Sequence, residues 1–415
     1  MSFVPEINAS AKRREINFGT GSYPDELAEE YAKGTGIKPR PAETISEIDE
    51  RGAFVRQANS LIQPFGSGPN DLKAESGRYA VYWQEGCHWS NRPVIARDLL
   101  GLTDVIRDQK TSGSGVSRVY GHGFGAEPDH KDPITGVHFL SEFYVKANPD
   151  YEGRATTPTL VDIAEKKAVN NDYHRLSNYI EVQFRPFQPK DAPDLYPKKF
   201  RREIDQLNDW LFPHINNSHY RMAFCQSAEA YEEAYADFFE SLGKLDERLR
   251  TNRFLFGDYV TDADIRLYVT LVRWEIHYFR SIGPMLRRIT TYENLWGYVK
   301  DLYGDPVFKK YTFFPTAPET NDPKHNRNFI TRIAWQYDWD QLWTPDGSRA
   351  ALSSNPNDRY LRHPADETPE AYQSIISVSH WNSPSWADRD PSDPANSPLD
   401  QDASINPINL NEAYD

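Results

Sequence analysis

The sequence predicts an α/β domain followed by an all-α domain, with polar extensions at both ends. Three observations carry this. Between Arg78 and Val182, short β-rich runs alternate with helix-periodic stretches. From Pro197 to about Phe308 the apolar spacing is helical throughout and no strand signal interrupts it. Outside these limits the chain is rich in glycine, proline and short polar residues. At 415 residues it has ample length to bury such cores without covalent staples.

The elements follow in order. Asp25 to Lys33 (DELAEEYAK) reads as a short helix that Gly34 stops. Arg78 to Trp83 is a strand, and Gly86-Cys87 comes after it. A helix is expected over Asn91 to Leu100, with Pro93 in its first turn and Ile95, Leu99 and Leu100 on its buried face. Thr103 to Asp129 holds a second strand and a Gly/Ser-rich loop, and Val137 to Lys146 is a helix. Thr156 to Asp162 is a strand opened by Pro158. A turn at Glu165 to Lys167 leads through Ala168 to Asp172 into a helix over Tyr173 to Val182. The order strand, helix, strand, helix, strand, strand, helix is that of a thioredoxin-like module. The all-α part has helices over Phe200 to Leu211, Ala228 to Leu249, Thr261 to Phe279 and Tyr292 to Tyr303. Thr261 and Asp264 form a capping box that starts the buried helix Ile265 to Phe279. Arg332 to Trp343 is aromatic, and from Pro384 a polar tail carries the apolar anchors Trp386, Ile405, Ile408 and Leu410. The expected division is an extension over 1–75, the α/β domain over 76–190, the helical domain over 191–317 and a second extension over 318–415.

Charge excludes several partners. There are 47 Lys and Arg against 61 Asp and Glu, a formal charge of −14, which opposes nucleic acid and anionic membrane. No apolar run approaches the roughly 18 residues of a membrane span, and Met1 to Ile16 has no apolar signal segment. Two cysteines do not make a disulfide scaffold, so a soluble, cytoplasmic protein is expected. The histidines make no HExxH and no Cys/His ligand spacing, so no metal is expected. Gly121-His-Gly-Phe-Gly125 lacks the Lys and Ser/Thr of a phosphate loop.

Cys87 is the main candidate for chemistry. It sits between a strand and a helix start, where the helix dipole and unpaired N–H groups favour a thiolate, with Arg92 within a turn. The alternative is a small buried apolar residue. Cys225 has no such setting. Pro158 opens a strand, and Asp172 is a helix cap that also suits the ammonium end of a small zwitterion.

Together these segments resemble the Xi class of glutathione transferases, the glutathionyl-hydroquinone reductases. The matching blocks are Asp49 to Gln57 (DERGAFVRQ), Ser76 to Tyr82, and Cys87-His-Trp-Ser-Asn-Arg92, which is similar to the family's Cys-Pro-Trp-Ala-His-Arg. Ala147 to Tyr151, the Thr157-Pro158 strand, Asn170-Asn-Asp-Tyr173, Asn216 to Phe224, Arg253 to Arg266, and Arg287 to Tyr303 continue the match in order. It covers roughly residues 45 to 310. His88 replaces the family's proline, Ser90-Asn91 replace Ala-His, and Asp172-Tyr173 replace Glu-Ser. The family's Gly-Trp has no counterpart, the nearby stretch being Tyr120 to Phe124. His88 either pairs with the thiolate or faces water.

The resemblance implies a glutathione transferase fold and glutathione as co-substrate. It implies thiol exchange in which Cys87 takes glutathione from a hydroquinone, and a second glutathione resolves the mixed disulfide. Tyr220 and Tyr278 match the tyrosines that surround the quinol, although a core role is open for each. The glutathione site would use Thr157 beside a cis Pro158, Asp172 and Tyr173, with Trp89 and Arg92 as weaker candidates. A homodimer is the family's habit. Two other readings stay open: an omega-like thioltransferase or dehydroascorbate reductase, and a non-catalytic binding module.

Overall fold

The computed structural model describes residues 25–39, 47–56, 59–66, 68–112, 119–125, 127–278, 282, 286–314 and 339–364. The polar tail with Trp386, Ile405, Ile408 and Leu410 lies outside them, as do Phe279 and residues 332–338. The described residues fall into two compact units. The first takes those up to Ser90, Thr103–Leu176 and Tyr220–Tyr235; the second takes Asn91–Leu102, Ser177–His219 and those from Ala236 onward.

The first unit is built on a four-stranded sheet. Its strands are β1 (Tyr79–Trp83), β2 (Arg107–Lys110), β3 (Thr159–Asp162) and β4 (Lys167–Asn170), in the order β2-β1-β3-β4. β1 runs parallel to β2, placing Ala80 opposite Arg107, and antiparallel to β3, placing Ala80 opposite Val161. β3 and β4 are antiparallel. All five β1 residues are buried, as an unbroken apolar run requires in a strand covered on both faces. On one face Ala80, Tyr82, Val161 and Ala168 pack with Leu140, Phe143 and Tyr144 of helix α3 (Leu140–Ala147). Glu142 fastens the start of α3 by accepting from the backbone N–H groups of His138 (2.8 Å) and Phe139 (3.0 Å). Helix α1 (Asp25–Ala32) ends before Gly34, whose φ of +77° favours glycine.

Helix α2 spans His88–Leu99 and so begins three residues before the sequence places it. Pro93 lies inside it, not in its first turn. Cys87 takes the position ahead of the helix, and its carbonyl accepts from the Ser90 N–H at 3.2 Å. Helix α4 (Leu176–Gln183) starts three residues later than expected. Residues 172–175 form its capping turn, in which Asp172 Oδ1 accepts from His174 N–H at 2.9 Å and the Asp172 carbonyl accepts from Leu176 N–H at 2.9 Å.

The second unit is helical. Helix α5 (Arg201–Leu211) runs into a wide turn at Phe212–Asn216. A helix that the sequence did not predict, α6, follows at Ser218–Phe224, with Tyr220–Phe224 counted in the first unit. Helix α7 spans Ala228–Arg248, with Ala228–Tyr235 also in the first unit, and α8 spans Asp262–Arg273, every residue of α8 being buried. The Thr261–Asp264 capping box is present: Asp264 Oδ2 accepts from Thr261 N–H at 2.8 Å and from its hydroxyl at 2.9 Å. Asp264 Oδ1 accepts from Leu255 N–H and from the Tyr298 hydroxyl, each at 2.9 Å. Beside it, Asp262 Oδ2 accepts from Arg266 at 2.7 Å, Asn208 at 2.8 Å and Asn178 at 3.1 Å. Asn178 also donates to Glu181 at 3.0 Å, and burial raises the Glu181 carboxyl well above the usual range.

Burial also pushes Asp264 up to about 6, against the downward pull of its four hydrogen bonds. The folded chain therefore binds this proton more tightly than the unfolded chain, and the contribution of Asp264 to stability falls as pH rises from about 4 to about 6. The change amounts to about 3 kcal/mol. Urea unfolding of the protein and its Asp264→Asn variant should show a larger destabilisation at pH 4 than at pH 7. A cost that is equal at both, or larger at pH 7, contradicts the assignment.

Candidate functional site

The site begins where β1 gives way to α2. After Trp83 the chain turns through Gln84, Glu85 and Gly86, and Cys87 follows, half-buried, at the head of the helix. Ser90 holds this turn. Its hydroxyl donates to the carbonyls of Gln84 (3.1 Å) and Cys87 (3.0 Å) and accepts from the Gln84 N–H at 3.0 Å. With Ser90 holding this turn, α2 starts at His88, ahead of the Asn91 at which the sequence places it.

Across the sheet, β3 is opened by the Thr157–Pro158 peptide bond, which is cis. The Thr157 carbonyl lies 3.5 Å from Cys87 Sγ and accepts from it. Helix α3 fixes this second loop through Tyr144. The Tyr144 hydroxyl donates to the Thr156 carbonyl (3.0 Å), accepts from the Thr156 N–H (3.2 Å) and lies 2.6 Å from Thr159 Oγ1. The Thr159 hydroxyl donates to the same Thr156 carbonyl at 2.5 Å. Burial raises the Tyr144 phenol to about 12, so it works as a neutral clamp.

Thr157 also lines a shallow, open cleft with Thr156, Arg154, Arg56, Asn59, Trp89, Asn171 and Tyr173. Its walls come from distant parts of the chain. Residues 59–63 zip along the end of β4: Leu61 N–H donates to Asn171 Oδ1 at 3.0 Å, and Asn171 N–H donates to the Leu61 carbonyl at 2.7 Å. The Asn170 side chain donates to the Gln63 carbonyl at 3.0 Å. Asn59 donates to Asp172 Oδ1 at 3.1 Å. Asp172 therefore caps α4 and borders the cleft through Asn59.

An aromatic group closes one side. The Trp89 ring is 5.0 Å from Tyr173 and 6.0 Å from Tyr220. His88 is fully buried, with its ring edge-on to Trp89 at 4.3 Å and 5.7 Å from Tyr220. His88 consequently does not face water. The Arg56 guanidinium lies among these rings, 4.3 Å from the centre of Tyr220, 4.8 Å from Trp89, 5.6 Å from Phe54 and 5.7 Å from Tyr173.

The structure thus gathers Cys87, Trp89, Thr157, Pro158, Asp172, Tyr173 and Tyr220 in the first unit. Arg92 and Tyr278 belong to the second unit, where both are buried and Tyr278 stacks on His219 at 3.9 Å. Three residues that shape the cleft were not candidates: Arg56, Asn59 and Tyr144. Arg56 lies in the DERGAFVRQ block, which was the only signal for it. Among the described residues no group of three or more His, Cys, Asp or Glu is placed to hold a metal ion, and no helix is long and apolar enough to cross a membrane.

A cysteine at a helix head against a strand-opening carbonyl, with a polar cleft alongside, suits thiol exchange with a peptide-like thiol. Residues 228–301 match the family described as Glutathione S-transferase, C-terminal domain. The chain is 34% identical over 303 residues to glutathionyl-hydroquinone reductase YqjG of Escherichia coli (strain K12), covering 71% of this chain and 92% of that protein. It is 36% identical over 248 residues to glutathionyl-hydroquinone reductase PcpF of Sphingobium chlorophenolicum, covering 59% of this chain and 76% of that one. The crystal structure of the glutathione-S-transferase Xi from Phanerochaete chrysosporium is similar with a TM-score of 0.59 and 34% identity, over 64% of this chain and 87% of that chain.

The clamp at Tyr144 is directly testable. Tyr144→Phe leaves buried groups of the Thr156 loop short of a partner and should cost about 1–3 kcal/mol in urea unfolding. It should also change the rate at which Cys87 is alkylated. An unchanged stability and rate means that the hydroxyl does not hold the loop.

Proposed function

We propose that this chain, which belongs to the Xi class of glutathione transferases, the glutathionyl-hydroquinone reductase family, reduces glutathionyl-hydroquinones through a mixed disulfide on Cys87. That it is an enzyme of glutathione transferase type follows from its family membership. The observation that carries the finer reading is Cys87 Sγ held at 3.5 Å from the carbonyl of Thr157, beside the cis bond to Pro158.

In the proposed reaction the Cys87 thiolate attacks the sulfur that joins glutathione to the ring. The new bond is Cys87 S–S glutathione, and the sulfur–carbon bond breaks. Its electron pair goes to the ring carbon, which takes a proton, and the hydroquinone leaves. A second glutathione thiolate then attacks the glutathione sulfur of the mixed disulfide, releasing oxidised glutathione and restoring Cys87. The sum is one conjugate and one glutathione giving one hydroquinone and one oxidised glutathione.

The peptide part of glutathione lies along Thr157 and Pro158, its ammonium toward Asp172, with Tyr173 and Trp89 as walls. Tyr220, half-buried beside Trp89, donates a proton or hydrogen bond to the departing quinol. The resemblance assigns a second phenol to Tyr278 and a further glutathione contact to Arg92, and both are proposed on that ground alone. On the same ground we assign glutathione binding to residues 76–190, the helical domain to residues 191–317, and a homodimer as the working form.

The protein incubated with a glutathionyl-hydroquinone and no free thiol should gain the mass of one glutathione, and Cys87→Ser should gain none. Tyr220→Phe should still form the adduct, at a rate lower by about 10- to 100-fold. Absence of the adduct while Cys87 is still alkylatable contradicts the reading, as does adduct formation by Cys87→Ser.

A further inference from the structure

We infer that His88 is a positioning residue for Tyr220, its ring holding the phenol in place for the departing hydroquinone. The inference deepens the proposed function and rests on it. His88 is the first residue of α2, directly after Cys87. Nothing in the helix start asks for a histidine there. The first helical position favours proline, whose fixed φ suits it, and histidine is an indifferent helix former. The resembling family has proline at this place. The His88 side chain is nevertheless fully buried, so its packing, not the helix start, accounts for the ring.

The ring belongs to a triangle of rings in the first unit. His88 stands 4.3 Å from Trp89 at 89° and 5.7 Å from Tyr220 at 66°, while Trp89 and Tyr220 are 6.0 Å apart. Edge-to-face pairs of this kind fix orientation as well as burying area. Tyr220 is also flanked by Phe54 at 6.4 Å and by Phe224 at 5.8 Å. Phe224 shares its helix, α6, and Phe54 comes from the first extension. The His88 and Trp89 contacts are the ones that tie Tyr220 to the turn carrying Cys87. A proline at 88 is locked onto its own backbone nitrogen and has no planar edge to offer Tyr220. His88 thus joins the residue next to the sulfur to the proton donor, which arrives from far along the chain.

Single-turnover mixing with a glutathionyl-hydroquinone, the full-length protein in excess, tests this. Adduct formation on Cys87 is read beside the rate at which iodoacetamide alkylates Cys87, a reaction that needs no proton donor. His88→Leu should slow adduct formation by about 3- to 10-fold, within the span of one aromatic pair, and leave the alkylation rate unchanged. His88→Phe, which keeps a ring, should recover most of the loss. In a Tyr220→Phe background His88→Leu should cost less than about twofold, because the contact then positions no hydroxyl. A His88→Leu variant that forms the adduct at full rate overturns the inference. So does one that slows both reactions alike, one whose loss is the same with and without the Tyr220 hydroxyl, or a His88→Phe variant as slow as His88→Leu. No adduct in the unaltered protein, or a Tyr220→Phe variant as fast as the unaltered protein, is a different result, and it sinks the proposed function itself.

Discussion

The contact between Cys87 Sγ and the Thr157 carbonyl organises the first unit. It joins the end of β1 to the start of β3, 70 residues apart in sequence, and needs both loops held still. Ser90 binds the first loop through three hydrogen bonds, and Tyr144 binds the second through three more. The sheet order β2-β1-β3-β4 makes the meeting possible, because β1 and β3 are neighbours and antiparallel. The Cys87 end of β1 therefore lies beside the Pro158 end of β3. In the proposed reaction, a sulfur placed in this way meets the glutathione thiol where the peptide runs along the Thr157 backbone.

The cleft beside this contact owes its character to chain that lies before the first strand. Residues 59–63 pair with the end of β4, which covers that edge of the sheet and brings Asn59 and Arg56 to the site. The first extension is thus part of the site in its described residues. The second unit satisfies a different constraint. Helix α8 is buried on all sides, so its polar groups need internal partners: Thr261, Asp264 and Arg266 have them, and Asp262 gathers three donors on one oxygen, Oδ2.

The strand–helix order, the capping box and the position of Cys87 were legible because each is local. A β-rich run, a glycine and a helix period lie within some 20 residues of one another. Helix starts were less legible. The sequence starts α2 at Asn91 with Pro93 in its first turn, yet Ser90 turns its hydroxyl back to Gln84 and Cys87, and the helix begins at His88. Asp172 caps its helix but delays the first full turn to Leu176. Arg56 and Asn59 were missed as site residues because their partners are remote. Asn59 and Asp172 are 113 residues apart, and no periodicity encodes such a pairing. Of the two readings of His88, the one in which it faces water failed for the same reason: the Tyr220 ring, 5.7 Å away, arrives from far along the chain.

In the proposed reaction one sulfur, Cys87, receives one glutathione and one hydroquinone is released before any free thiol is needed. The direct measurement is a rapid-mixing experiment with the enzyme in excess over a glutathionyl-hydroquinone and no added thiol, read by hydroquinone release. One equivalent of hydroquinone per conjugate, in a single phase that Cys87→Ser abolishes, is the predicted result. No release until glutathione is added, or unchanged release by Cys87→Ser, contradicts it.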